Sequence, residues 1–251
     1  MFFPGNAFSL ETALYWAMTS RADRDHKVNM ENLEKGVYGF PVIEADDRAF
    51  ANSKFFDDWL LNQDNNAYWT VVDGTNRTHT LQASMLLMAG WFDPFLPSQL
   101  EDFRNIATHA EPGVSEAVRL IIGPWGHART ITMPNGHKPK PYRFESLAPS
   151  IPWFDSCLGI SDVPLSMPRV QIYVMGINEW RSENEWPLAR TEYTNFYLHS
   201  GGSANSPVGN GVLDKRVPKT VETRDTYRYD PQNPVPSTGG AMLGPRSGIQ
   251  P

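Results

Sequence analysis

Two short apolar segments, each followed by a tryptophan-containing turn and a polar side chain, constrain the fold more than any other feature of this sequence. Met85–Met88 precedes Gly90-Trp91-Phe92-Asp93, and Val118–Ile122 precedes Gly123-Pro124-Trp125-Gly126-His127. Continuous apolar runs are typical of parallel strands that are covered on both faces. With an amphipathic segment between them, the two runs predict a right-handed βαβ unit and a parallel strand pair.

The helix of this unit is predicted to begin at Ser98, because Glu101 three residues later completes a capping-box pattern. The carboxyl ends of neighbouring parallel strands lie at one edge of a sheet, so Asp93 and His127 should come together there. A histidine can act as a general base when a carboxylate holds its second nitrogen. An aspartate before proline also starts turns, and a lone histidine is commonly a surface residue. The consecutive placement of the two residues around one βαβ unit favours catalysis.

The remaining patterns predict an α/β protein followed by an all-β part. Residues 1–78 look helical and irregular, and residues 79–165 hold the βαβ unit and a short helix at 151–159. From residue 166 to 251 the pattern changes to short alternating strands, predicted at 170–174, 194–198 and 226–229 and separated by Gly and Pro. Such strands are typical of a β-sandwich or jelly roll, and their number is too small for a closed one.

Composition excludes several classes of function. The 251 residues are 40% hydrophobic with a net charge of −6, which indicates a globular protein without the clustered Lys and Arg of a nucleic-acid-binding surface. The N-terminal segment lacks the basic region of a signal peptide, and no apolar stretch is long enough to span a membrane. The single cysteine, Cys157, is predicted to be buried and inert, which favours the cytoplasm over secretion.

The histidines show no metal-ligand spacing and the glycines form no phosphate-binding loop, so neither metal nor cofactor is expected. Homo-oligomerisation stays open.

Several motifs resemble the cocaine esterase and Xaa-Pro dipeptidyl-peptidase family of serine hydrolases. Gly90–Asp93 and Gly123–His127 look like its acid and histidine motifs, and Trp153–Gly159 is similar to the helix that follows the histidine. Val174–Arg181, with Glu185–Ala189 after it, resembles the start of the family's C-terminal jelly roll. Phe196–Leu198 and Tyr229–Pro236 continue the match, which covers about residues 55–245.

This resemblance implies the C-terminal part of an α/β-hydrolase domain with a helical cap, followed by an incomplete jelly roll. It implies that Asp93 orients His127 and that His127 is the base for a serine. It further implies that the partner is a small-molecule ester, amide or peptide substrate. It also implies that an aromatic residue of the cap lines the acyl pocket, with Trp16 and Phe95 as the substrate-binding candidates. For both of these residues, core packing is the alternative.

The nucleophile that the family places in a Gly-x-Ser-x-Gly elbow is missing. Gly113–Ala117 is a near miss that precedes a strand, whereas an elbow follows one. We therefore expect a fragment that is inactive alone, or one complemented by a separate chain carrying the serine. A different class remains open, a non-catalytic module that binds carbohydrate or protein. Trp180 and Trp186 could stack on sugars in such a module, or could pack at a domain interface.

Overall fold

The computed structural model describes residues 3, 5, 7–20, 28–127, 129–130, 133, 136–138, 147–162, 165–235 and 239–243. The chain divides into two compact units. The first contains residues 1–186 and 237–251, and the second contains residues 187–236. No helix of the described residues is long and apolar enough to cross a membrane.

The N-terminal part of the first unit is helical, as its sequence predicts. Its core is formed by small and large apolar residues on the facing sides of short helices, including Leu14, Leu33 and Phe56. Gly36 permits the closest approach, because a Cβ there would lie 2.5 Å from the Leu14 side chain and 2.7 Å from the Ala45 carbonyl. The helices are α1 (Leu10–Thr19), α2 (Met30–Tyr38), α3 (Ala45–Ala49), α4 (Lys54–Leu61) and α5 (Ala67–Thr70), with 3₁₀ turns at Val42–Glu44 and Thr75–Thr80.

A mixed sheet and the helices around it form a second part of the first unit. Strand β1 (Leu86–Phe92) pairs in parallel with β2 (Arg119–Gly126), which confirms the predicted parallel pair. Helices α6 (Leu96–His109) and α7 (Pro112–Ala117) connect these strands. Strand β2 also pairs antiparallel with the short β3 (Arg129–Thr130). Helix α8 (Ser150–Cys157) also belongs to this unit.

The core of the sheet region lies between the strands and α6. Phe103 and Ile106, on one face of α6, are nearly fully buried against Leu120 and Ile122 of β2. Each such side chain stabilises the fold by about 1.5–3 kcal/mol on burial. This packing supports the parallel register of β1 and β2, and with it the position of the residues at their carboxyl ends.

Strands β4 (Val170–Val174) and β5 (Glu179–Glu183) extend the first sheet. Strand β4 coincides with the alternating strand predicted at 170–174 and pairs in parallel with β2, and β5 pairs antiparallel with β4. The domain boundary at residues 165 and 166 stays a prediction.

Three predictions are corrected by the structure. Helix α6 begins at Leu96, two residues before the predicted Ser98, and no side chain caps it. Among the described residues, 226–229 form no strand, whereas residues 212–214 do. Cys157 is exposed at the end of α8 rather than buried, because the buried face of that short helix is occupied by Trp153.

The second unit contains a two-stranded antiparallel sheet of β6 (Tyr197–His199) and β7 (Val212–Asp214). Gly201 forms an isolated bridge with Thr223 close to the end of β6. Much of the backbone between these elements is held by side chains. Glu222, Asn210 and Asp225, for example, each accept hydrogen bonds from backbone amides at residues 200–204.

Candidate active site

Asp93 and His127 meet at the carboxyl ends of β1 and β2. The two strands run in register from Leu86 and Arg119 to Gly90 and Gly123, and an irregularity then pairs Phe92 with Gly126. The residue that follows β1 is therefore Asp93, and the residue that follows β2 is His127. Asp93 Oδ2 lies 3.1 Å from His127 Nδ1, so the structure brings together the two residues that the sequence singled out.

The two oxygens of Asp93 have separate tasks. Oδ1 accepts a hydrogen bond of 2.9 Å from the Phe95 backbone N–H and so closes the turn that leads into α6. Oδ2 is left for His127. The turn-forming and the imidazole-holding interpretations of this aspartate are therefore compatible, because each uses a different oxygen. Fixing one oxygen in the turn also limits rotation of the other.

Burial differs sharply between the two partners. The Asp93 side chain is 10% exposed and the His127 side chain is 50% exposed. The carboxylate thus lies beneath the imidazole, and the opposite ring nitrogen, Nε2, is on the side away from Asp93. This arrangement presents one imidazole nitrogen outward while the other is held.

Glycines in both motifs make room for Trp125, whose side chain is 2% exposed. A Cβ on Gly90 would lie 1.9 Å from the Trp125 carbonyl oxygen, and a Cβ on Gly123 would lie 2.1 Å from its ring. The Trp125 ring in turn packs against Trp180, with ring centroids 5.8 Å apart. The support that Trp125 gives is not among the sequence-based predictions, although glycines flanking an aromatic residue at a strand end are a usable signal.

The two substrate-binding candidates lie in different surroundings. The Phe95 ring is beside the His127 imidazole, at a centroid distance of 5.2 Å. Trp16, on α1, is 36% exposed. Its ring contacts include Phe55 at 5.7 Å and Trp59 at 5.4 Å, both on α4. The spacing of Phe55 and Trp59, four residues apart on one helix, is the sequence signal that could have predicted this aromatic group.

The two tryptophans considered for sugar stacking pack inside the first unit. Trp180 lies edge-on against Tyr173 at 5.4 Å, and Trp186 lies 6.4 Å from Trp91. Trp91 Nε1 also donates a hydrogen bond of 2.7 Å to the Tyr173 carbonyl. These contacts account for both side chains as packing residues of the sheet.

Family models match most of the chain. Residues 1–129 match the X-Pro dipeptidyl-peptidase (S15 family) model, and residues 163–241 match the X-Pro dipeptidyl-peptidase C-terminal non-catalytic domain. The cocaine esterase of Rhodococcus sp. (strain MB1 Bresler) is 33% identical over 268 aligned positions, which cover 96% of this chain and 44% of that protein.

Solved structures show the same fold at lower identity. An aminopeptidase from the marine sediment archaeon Thaumarchaeota archaeon superposes with a TM-score of 0.69 at 21% identity, over 94% of this chain and 39% of the other. A selenomethionine-labelled alpha-amino acid ester hydrolase gives 0.65 at 18% identity, over 94% and 40%. The chain thus spans less than half the length of each of these proteins. Its matches over both parts show that it belongs to the cocaine esterase and Xaa-Pro dipeptidyl-peptidase (S15) family of hydrolases.

Proposed function

We propose that the chain forms part of a serine hydrolase that cleaves ester or amide acyl bonds, with His127 as the base and Asp93 as the carboxylate that orients it. The observation that carries the proposal is the 3.1 Å contact between His127 Nδ1 and Asp93 Oδ2. When Nδ1 donates to a carboxylate, the neutral imidazole keeps its lone pair on Nε2. Nε2 can then take the proton of a serine hydroxyl and later return it to the leaving group.

The serine and the oxyanion hole are proposed to come from residues other than these 251, in which no Gly-x-Ser-x-Gly elbow occurs. The near miss around Ser115 does not replace it. Ser115 lies in α7, its hydroxyl donates to the Pro112 carbonyl at 3.1 Å, and α7 leads into the start of β2, whereas His127 follows its end. Without a nucleophile and an oxyanion hole, the 251 residues alone are expected to be inactive.

Small esters, amides or peptides are the proposed substrates. The relatives are named as a cocaine esterase, an aminopeptidase and an amino acid ester hydrolase, so their names share acyl-bond hydrolysis. Phe95, beside the His127 ring, is proposed to contact the acyl group. Trp16 is proposed to contribute a second aromatic surface through its group with Phe55 and Trp59.

The proposed domain arrangement follows the family. Residues 1–78 would form part of a helical cap, residues 79–165 would be the C-terminal part of an α/β-hydrolase domain, and residues 166–251 would be part of a jelly roll. The match of residues 163–241 to the family's C-terminal non-catalytic domain supports the last boundary. A carbohydrate-binding module has no observation in its favour, because Trp180 and Trp186 are engaged in packing.

Hydrolysis of a nitrophenyl ester and of an Xaa-Pro nitroanilide tests the proposal. The 251-residue chain should turn over neither. The same chain co-expressed with a segment that carries the serine elbow should turn over at least one, and His127→Ala should abolish this turnover. His79→Ala is the matched control, since His79 is an exposed histidine in a 3₁₀ turn. If the chain alone shows turnover that depends on His127, the claim that the nucleophile lies outside these 251 residues is wrong. If His127→Ala keeps full activity in the co-expressed assembly, the claim that His127 is the general base is wrong.

A further inference from the structure

A second histidine–carboxylate pair lies in the second unit, away from the proposed catalytic residues in sequence. His199, the last residue of β6, places Nδ1 2.6 Å from Glu222 Oε1. Its other nitrogen, Nε2, lies 2.9 Å from the Arg216 carbonyl oxygen. The His199 side chain is 17% exposed, so these contacts are partly shielded from water.

The partners of His199 determine its charge. A carbonyl oxygen can only accept a hydrogen bond, and so can an ionised carboxylate. Glu222 is favoured in its ionised, accepting form, because hydrogen bonds from His199 and from the Ser200 N–H lower the pKa of its carboxyl group. Only the imidazolium form donates from both nitrogens. A neutral ring would leave one nitrogen lone pair facing an oxygen.

Three segments of the unit meet at this ring. His199 belongs to β6, Arg216 follows β7, and Glu222 lies beside Thr223, which bridges Gly201. The charged groups that face the ring are Glu222, Asp214 at 3.7 Å from Nε2, and Arg216, whose guanidinium pairs with Asp214. The net environment is negative, and it favours a cation at residue 199.

A groove of about 700 Å³ runs beside the cluster. His199 and Glu222 both line it, together with Leu198, Leu213 and Asp225. Asp225 also accepts a hydrogen bond from the Ala204 N–H. The hydrogen bond between His199 and Glu222 therefore joins two residues of the groove wall.

We propose that His199 is a pH-dependent clamp that holds the second unit closed as an imidazolium, and that loss of its proton to solvent releases Glu222 and the segment after β7 and widens the groove. Deprotonation changes the two N–H···O hydrogen bonds of the ring, to Glu222 and to the Arg216 carbonyl. One of them is lost outright with the proton, and the other is weakened because the ring no longer carries charge.

The direction of the pH effect follows from the same contacts. The hydrogen bond with Glu222 raises the pKa of His199 above its ordinary value, and the Arg216 carbonyl adds to this. A raised folded-state pKa means that the clamp stabilises fully below the unfolded-state pKa, ordinarily about 6.5. The stabilisation is lost as pH rises through the folded-state pKa.

Nitrogen-detected imidazole spectra and amide hydrogen exchange of the full chain, recorded between about pH 5 and 8, test the clamp. His199 should be doubly protonated at the acidic end and should titrate above the ordinary histidine pKa of about 6.5. Protection of the Ser200 amide, corrected for the intrinsic exchange rate, should fall by up to about tenfold per pH unit across the titration, as release of one proton requires.

Glu222→Gln is the diagnostic variant, because it keeps the side-chain shape and removes the charge. It should lower the pKa of His199 and flatten the protection profile, whereas His79→Gln should change neither. A neutral His199 at the acidic end of the wild-type titration would overturn the proposal, whatever the variant does. Protection profiles of equal slope in the wild type and Glu222→Gln would overturn it as well.

Discussion

The two units use the same pair of side chains in different ways. In the first unit His127 bonds Asp93 through Nδ1, and half of its side chain is exposed. In the second unit His199 bonds Glu222 through Nδ1, but Nε2 is occupied by the Arg216 carbonyl. A general base needs an accessible lone pair. Of these two histidines, His127 has its Nε2 on the side away from Asp93, whereas both ring nitrogens of His199 face acceptor oxygens. A histidine–carboxylate distance alone therefore does not identify a catalytic base.

The elements that hold each pair also differ. Asp93 and His127 follow directly on parallel strands whose register is fixed by a buried core. His199 and Glu222 are joined across loops, by contacts that are themselves part of the fold of the unit. Rigid strand ends hold the geometry of Asp93 and His127 without depending on the charge of the histidine. The loop segments around His199 are held by hydrogen bonds that depend on the charge of its ring, so their position can respond to pH.

The largest expected effect separates the two carboxylates. Asp93→Asn in the active assembled hydrolase should lower kcat on the order of 10⁴-fold, because an amide can donate to Nδ1 and so stabilise the wrong tautomer. Glu222→Gln should leave kcat unchanged. Steady-state ester hydrolysis measures both. A loss of similar size in the two variants would erase the distinction drawn between the two pairs.

Gly90→Ala tests how tightly the strand ends are packed. The new Cβ would overlap the Trp125 carbonyl, so we expect a loss of about 1–3 kcal/mol in the free energy of unfolding. Gly113→Ala in α7 is the matched control. Nothing lies within 4 Å of its added Cβ, and alanine should gain up to about 1 kcal/mol in a helix. Equal changes in denaturant unfolding of the two variants would contradict the close approach at Gly90.

Phe95→Ala sharpens the distinction between base and pocket. Loss of an aromatic contact of about 0.5–1.5 kcal/mol should reduce kcat/KM for a benzoyl ester roughly two- to tenfold. An acetyl ester of the same leaving group should be affected less, because it has no ring to contact. If both esters lose activity equally, Phe95 supports His127 through the 5.2 Å ring contact rather than binding the acyl group.

The smallest effect is expected for the stability of the clamp at acidic pH. The hydrogen bond with His199 lowers the pKa of Glu222, and the Arg216 side chain lowers the pKa of Asp214. Depressed carboxyl pKa values stabilise above the unfolded-state values, ordinarily about 4, and this stabilisation is lost as pH falls through the folded-state values. Solvent screening keeps the effect small.

In the wild type, protection of the Ser200 amide should therefore decline above the pKa of His199 and also below about pH 4. In Glu222→Gln the acidic decline should shrink. A profile that keeps falling below about pH 4 to the same extent in this variant would assign the acidic limb to other carboxylates.

The sequence predicted much of the first unit because its signals are local. Continuous apolar runs predicted β1 and β2, and strand-end logic predicted the meeting of Asp93 and His127. It missed the start of α6, since a turn closed by Asp93 Oδ1 and the proline at position 97 replace the expected cap. Cys157 was placed on the wrong face because an eight-residue helix carries too little periodicity to define one.

Other features depended on pairing between distant segments. The strand at 170–174 has the alternating pattern of a half-exposed strand, yet it joins β2 across about fifty residues of chain. No local pattern reveals which sheet such a strand enters. The acceptors around His199 come from residues 216 and 222, and one of them is a backbone carbonyl. Side-chain identity carries no information about a backbone acceptor.

The sequence alone therefore determined the family, the order of helices and strands around the two motifs, and the residues at the strand ends, because these follow from residue type and spacing. Tertiary structure decided which sheet β4 and β5 complete, how Gly90 and Gly123 admit Trp125, and which histidine keeps an outward nitrogen. Each of these depends on atoms far apart along the chain being brought within a few ångströms, and burial and hydrogen-bond geometry act only at that range.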